Sequence, residues 1–193
     1  MLSDFCDNQR TDKDTIHSYL DTYQNLFEKK KTTATHVLEV GIGPYLHSNG
    51  GSIMMWANYF TNAEVYALDI IPIDNIYNDL FHHSRIRVFA GTNAYDPLFF
   101  KSQFLTKSPR FDIVLDDGPH TLESMIAFVV LYSQILKDDG ILVIEDIQHI
   151  DWIDKLKEFT PDNLKPFIQV YDLRKNKGRY DDIIFVINKS LQM

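Results

Sequence analysis

The spacing of apolar positions changes several times along the chain, and each change marks an element. Ile16, Tyr19, Leu20, Tyr23 and Phe27 recur at three- and four-residue steps, which predicts a helix over 14–28 packed on the core. Residues 36–40 then form a short apolar run stopped by Gly41, which predicts a strand, and helical spacing returns over 52–60 after a glycine-rich loop. Compact runs at 65–68, 86–90 and 111–115 predict three more strands, and 122–136 a long apolar helix. Asp138-Asp139-Gly140 predicts a turn into a strand at 141–144, and the last two strands are expected at 167–171 and 183–187.

Strands alternating with helices imply an α/β fold, a doubly wound, mostly parallel sheet. Right-handed crossovers gather the residues that end each strand along one rim, and ligands bind there. No repeat, linker or low-complexity segment divides the chain, so a single domain over 1–193 is expected, with a helical segment at about 1–33 ahead of the first strand.

Composition narrows this picture. With 193 residues, 45% hydrophobic and 24% charged, the chain can bury one substantial core. A net charge of -8, with no basic run longer than Lys29 to Lys31, provides no cationic surface for phosphates, so no nucleic-acid partner is expected. A single cysteine, Cys6, excludes an internal disulfide and fits a reducing compartment. The first residues lack a basic segment followed by an apolar one, and no apolar run approaches a bilayer span. A soluble, cytoplasmic protein without a membrane partner is therefore the expectation.

The candidate chemistry lies where strands end. In Glu39-Val40-Gly41-Ile42-Gly43 the glycines let the backbone turn tightly and approach a ligand. A dinucleotide site wants a third glycine where Leu46 stands, which argues against a nicotinamide oxidoreductase. Asp69 ends the second strand, where a carboxylate can accept both ribose hydroxyls of an adenosine moiety, or merely start a turn before Pro72. Glu39 is assigned to the methionine end of such a cofactor. Asn93 is placed to read an adenine edge or to make an ordinary turn, and Asp116 ends the fourth strand on the same rim.

Asp116-Asp117-Gly118-Pro119-His120 and Glu145-Asp146 end two strands whose tips, if adjacent, lie about 4.8 Å apart. Carboxylates crowded in this way need protons or a cation, and oxygen donors suit Mg²⁺, Mn²⁺ or Ca²⁺. Asp117, Glu145 and Asp146 are the candidate ligands, the alternative being that some of these acids cap helices. Histidine titrates near neutrality, and His120, three residues beyond Asp117, is the candidate base. His149 and Trp152 are candidates to line an acceptor pocket, while His82-His83 has no acidic partner nearby and is expected in a solvated loop.

In this order and spacing, five segments resemble the metal-dependent sugar O-methyltransferases of macrolide biosynthesis and the cephalosporin hydroxylase-like group. They are Glu39-Val40-Gly41-Ile42-Gly43; Gly50-Gly51-Ser52-Ile53-Met54-Met55-Trp56; Tyr66-Ala67-Leu68-Asp69-Ile70; the run from Phe111 through Asp116-Asp117-Gly118-Pro119-His120; and Val143-Ile144-Glu145-Asp146. The resemblance implies a class I, Rossmann-like methyltransferase fold, a seven-stranded sheet whose last strand is antiparallel. It implies S-adenosylmethionine over Glu39, Gly41, Ile42, Gly43, Ser52, Asp69, Ile70, Asn93 and Asp116. It further implies Mg²⁺ on Asp117, Glu145 and Asp146, with His120 as base. The family usually has Ser where Pro119 stands, and an acid followed by Gln where Thr92-Asn93 stand. The acceptor implied is a sugar hydroxyl, on a deoxysugar of a glycan or small metabolite; a catechol-like acceptor, a non-catalytic scaffold and a homo-oligomer stay open. An exocyclic-amine methyltransferase wants a polar residue, Pro-Pro and an aromatic after the fourth strand, which Asp117-Gly118-Pro119-His120 is not.

Overall fold

The computed structural model describes residues 1–44, 48–107 and 109–192. Leu46, where a third glycine is missing, lies outside them. The strands are β1 (His36–Val40), β2 (Glu64–Leu68), β3 (Ile86–Phe89), β4 (Phe111–Asp116), β5 (Leu136–Ile144), β6 (Ile168–Asp172) and β7 (Ile183–Asn188). They form one sheet in the order β3-β2-β1-β4-β5-β7-β6. The pairs from β3 to β5 are parallel, while β7 runs antiparallel to both β5 and β6. This is the class I methyltransferase arrangement, and its order reverses between β1 and β4, where the following loops part and open a crevice.

Helices α1 (Leu20–Phe27), α2 (Gly51–Tyr59), α3 (Asp79–His82), α4 (Pro97–Phe100), α5 (Leu122–Tyr132), α6 (Trp152–Phe159) and α7 (Arg174–Lys177) complete the fold. Two buried clusters cover the two faces of the sheet. One joins α1 and α2 to the sheet through Tyr19, Tyr23, Phe27, Trp56 and Phe60. The other joins α5 and α6 through Phe128, Tyr132, Ile153 and Leu156. Tyr23 stacks on Phe27, and both meet Trp56 edge-on, with ring centroids 5.4 to 5.8 Å apart. Each such burial is worth about 2–3 kcal/mol, enough to hold α1 in one place on the sheet.

Four elements differ from the sequence expectation. The first helix starts at Leu20 rather than near residue 14, because Ile16 and His17 both donate to the Asp12 carbonyl in tight turns that carry Lys13 and His17 inward. Asp138-Asp139-Gly140 does not precede β5 but lies within it. Phe111 pairs with Leu136 and Ile113 with Ile141, so the extra residues of β5 form a bulge. Helix α6 was not predicted, since it buries only Ile153 and Leu156, too few positions to show a period. His82 ends α3 instead of lying in a loop. No helix among the described residues is long and apolar enough to cross a membrane.

Candidate active site

The period of two along a strand decides where each acid points. Val37 on β1, Ile113 and Leu115 on β4, and Ile141 and Val143 on β5 all pack on the α1–α2 face. Two residues further along the same alternation stand Glu39, Asp117 and Glu145. The ladder continues beyond the strand ends through Asp117 N to Val40 O (2.8 Å) and Glu145 N to Asp116 O (3.2 Å), so the acids stay in register. Single oxygens of Glu39, Asp117 and Glu145 lie within 4.8 Å of one another. Asp116 has the opposite parity, points to the α5 face and accepts from Tyr95 Oη at 2.5 Å.

Three carboxylates so close repel by about 4 kcal/mol per pair at an effective dielectric of 20, so they need a counter-charge. Lys13 supplies it. Its side chain is 1% exposed; Nζ donates to Asp117 Oδ2 at 2.7 Å and to Glu145 Oε1, and lies 3.4 Å from Glu39 Oε1. Burial disfavours the ammonium, but Asp117, Glu145 and Glu39 hold its pKa well above the usual value. Burial likewise opposes ionisation of Asp117, yet Lys13 and His120 bring it below the ordinary range. Glu145 is driven well up by burial and by Asp117. Burial pushes Glu39 up to about 7 against the pull of Lys13, and Asp116 up to about 8. Tyr23 Oη donates to Glu145 Oε2 and Tyr19 Oη to Asp146 Oδ1. Both hydroxyls come from the stretch that the stacked aromatics fix on the sheet.

Above this inner cluster lies a cavity of about 750 Å³, within the range of small-ligand sites. Gly41, Ile42, Gly43, Ser52, Asp69, Ile70 and Asn93 line it, as do Asp117, His120 and Asp146. Gly41 sits at φ +99°, and a Cβ there would stand 1.8 Å from the Asp117 carbonyl oxygen, so only glycine admits the close crossing of the two loops. Asp69 is aimed by the amides of Ile42 (2.7 Å) and Ile71 (3.0 Å). Asn93 Oδ1 accepts from the Tyr95 amide in a turn of its own while remaining exposed to the cavity.

His120 (φ 52°) and Asp146 (φ 56°) are the non-glycine residues at positive φ among those described. They face each other, with His120 Nε2 3.6 Å from Asp146 Oδ2 and 3.8 Å from Asp117 Oδ1. Side chains rarely adopt this backbone region, and strain of this kind collects at functional positions.

Five predicted site residues do not line the cavity. Glu39 is fully buried and accepts from Trp56 Nε1 at 2.5 Å. Asp116 lies behind the cavity, where it accepts from Tyr95 Oη and from the Gly118 amide, both in the lining. Glu145 has both oxygens engaged from within. His149, exposed in the loop before α6, and Trp152, the first residue of α6, pack on each other with centroids 5.8 Å apart outside the cavity lining. The wall opposite the glycine loop is instead the N-terminal segment, through Asn8, Thr11, Asp12, Thr15 and Ile16. Nothing in its composition marked it. The signal present in the sequence was the uncompensated charge of the acids, which required a buried base.

The chain has the class I methyltransferase fold, with a ligand crevice at its switch point and an acid–histidine group on the crevice floor. No family model matches it. It is similar to curated O-methyltransferases. It is 29% identical over 140 residues to mycinamicin VI 2''-O-methyltransferase of Micromonospora griseorubida, covering 71% of this chain and 33% of that one. It is 33% identical over 146 residues to 8-demethyl-8-alpha-L-rhamnosyl tetracenomycin-C 2'-O-methyltransferase of Streptomyces olivaceus, covering 74% of this chain and 36% of that one. The chain thus spans about a third of the length of these curated relatives. The structure of the MycE methyltransferase of mycinamycin biosynthesis, in complex with Mg, SAH and mycinamycin VI, superposes with a TM-score of 0.74 at 22% identity. That match covers 97% of this chain and 54% of the other.

Proposed function

We propose that the chain is an S-adenosylmethionine-dependent O-methyltransferase that methylates a sugar hydroxyl of a glycosylated small molecule with the help of Mg²⁺. The observation that carries this is the convergence of Asp117, His120 and Asp146 on the cavity floor, one donor atom of each within 4.8 Å of the others. Relatives named for the same reaction support it.

The residues present fit both groups. The glycine crossing at Gly41 leaves backbone where a side chain would fill the cradle, and Asp69 stands ready for ribose hydroxyls, with Ile70, Ser52 and Asn93 beside it. Hard carboxylate oxygens on Asp117 and Asp146 suit Mg²⁺, which is commonly held by one or two carboxylates with water and substrate filling the rest. When bound, Mg²⁺ supplies a Lewis acid that lowers the pKa of an acceptor hydroxyl. His120 takes the hydroxyl proton on Nε2, and Asp117 and Asp146 at 3.8 and 3.6 Å stabilise the imidazolium that results. The N-terminal wall and the glycine loop hold the two substrates in line and exclude water.

The test is calorimetric titration of S-adenosylmethionine, alongside NAD, with Mg²⁺ or with EDTA, followed by methyl transfer to deoxysugar glycosides. Binding of the sulfonium cofactor but not NAD, and Mg²⁺-dependent transfer lost in His120→Ala, is the expected result. Failure of the folded protein to bind S-adenosylmethionine in any condition overturns the reading.

A further inference from the structure

The site holds one more cation than the reaction calls for. Lys13 Nζ already occupies Asp117 Oδ2 and Glu145 Oε1, two of the oxygens that a three-carboxylate metal site would use. It is buried on the inner side of the acids together with Glu145, while Asp117, His120 and Asp146 line the cavity. An ion taken up by Asp117 and Glu145 at metal–oxygen distances of about 2.1 Å would stand within about 5 Å of the Lys13 ammonium on the same carboxylates, and the two cations repel. Lys13 belongs to the segment whose Asn8, Thr11, Asp12, Thr15 and Ile16 wall the cavity. That segment is held downstream by His17, whose Nδ1 lies 2.6 Å from Asp182 Oδ1 and whose carbonyl accepts from Lys177 Nζ at 2.9 Å.

We propose that Lys13 is a tethered cation that competes with the divalent ion for Asp117 and Glu145, so that loading the metal withdraws Lys13 and shifts the cavity wall upstream of His17. The inference rests on the metal reading above, and it assigns the N-terminal segment a part in deciding when that metal is held. Without the ion, Lys13 keeps the acids from repelling one another; with it, the freed Glu145 turns toward the cavity and completes the ligand set.

Two measurements test this, neither of which needs methyl transfer. Mn²⁺ binding, followed by calorimetry or by electron paramagnetic resonance, is expected to be at least ten times tighter in Lys13→Met than in wild type. Equal or weaker binding in the folded variant overturns the competition alone, and no binding to either protein overturns the metal reading and the competition together. In wild type, reductive methylation read by mass spectrometry is expected to spare Lys13 in EDTA and to modify it at saturating Mn²⁺. Continued protection of Lys13 with Mn²⁺ bound overturns the proposal, and this arm holds even where Lys13→Met fails to fold.

Discussion

A buried lysine–carboxylate cluster sits at each end of the sheet, and the two differ in charge balance. At the amino end, Asp112 accepts from the amides of Thr35 (2.8 Å) and His36 (3.0 Å) and from Lys137 Nζ (2.8 Å). Lys30 Nζ lies 2.7 Å from Asp139 and 3.8 Å from Asp112. Two acids meet two lysines there, and despite burial the Lys137 ammonium and the two amides hold the Asp112 carboxyl below its usual range. At the carboxyl end, Glu39, Asp117 and Glu145 share the ammonium of Lys13, Asp146 lies instead 3.3 Å from His17 Nδ1 and 3.6 Å from His120 Nε2, and burial drives Glu39, Glu145 and Asp146 upward. A balanced cluster ties strands together. An acid-rich one stores a demand for another cation, and the cavity opens onto that one.

The largest effects should separate the two ends by kind. His120→Ala is expected to lower methyl transfer by about 10²–10⁴-fold while leaving the urea midpoint near that of wild type. Asp112→Asn should do the reverse. It strips a charged acceptor from two amides and a lysine, costing about 2–3 kcal/mol in urea denaturation, with activity per folded molecule unchanged. A shared loss of activity in both variants would remove the distinction between a structural and a functional end.

Much of this contrast was legible in the chain. All seven strands were predicted within a few residues, except that β5 begins earlier, because compact β-branched runs between turn residues carry their own signal. Gly41, Asp69, Asp117 and His120 were legible because strand ends in this topology converge. The splitting of the acids was also written in strand parity, Val37/Glu39 against Leu38/Val40 and Leu115/Asp117 against Val114/Asp116, although proximity alone suggested a common site. Lys13 was not legible. Its place depends on turns at residues 12–19 that override the helical period of Ile16, Tyr19 and Tyr23, a tertiary effect with no local signature.

The two ends should also answer pH with opposite sign. Asp112, held below the ordinary carboxylate value of 3.8, contributes stability that is present above that pH and lost as pH falls through its lowered pKa. Glu39, raised from 4.5 to about 7, contributes stability that is full below pH 4.5 and lost as pH rises through about 7. In EDTA, Glu39→Gln should therefore flatten the decline of stability between those values and leave the acid limb unchanged. Gln keeps a carbonyl oxygen for Trp56 Nε1, so the effect isolates the charge. A decline equally steep in the variant would move the source of the pH dependence to the other acids.

The smallest effect marks where the acid-rich end stops. His149 lies three residues beyond Asp146, yet it is exposed and stacks on Trp152 outside the cavity, whereas Ile16 lines the cavity from the N-terminal wall while 47% exposed. Removing the outer carbons of Ile16 takes away about 1 kcal/mol of apolar contact with whatever packs there, so Ile16→Ala should raise the acceptor KM about five-fold. His149→Ala should change it by less than about two-fold, since no ligand surface is lost. Steady-state kinetics on one deoxysugar acceptor reads both. If the order were inverted, with His149→Ala the more costly, the acceptor would enter across α6, and the N-terminal segment would serve the cofactor alone.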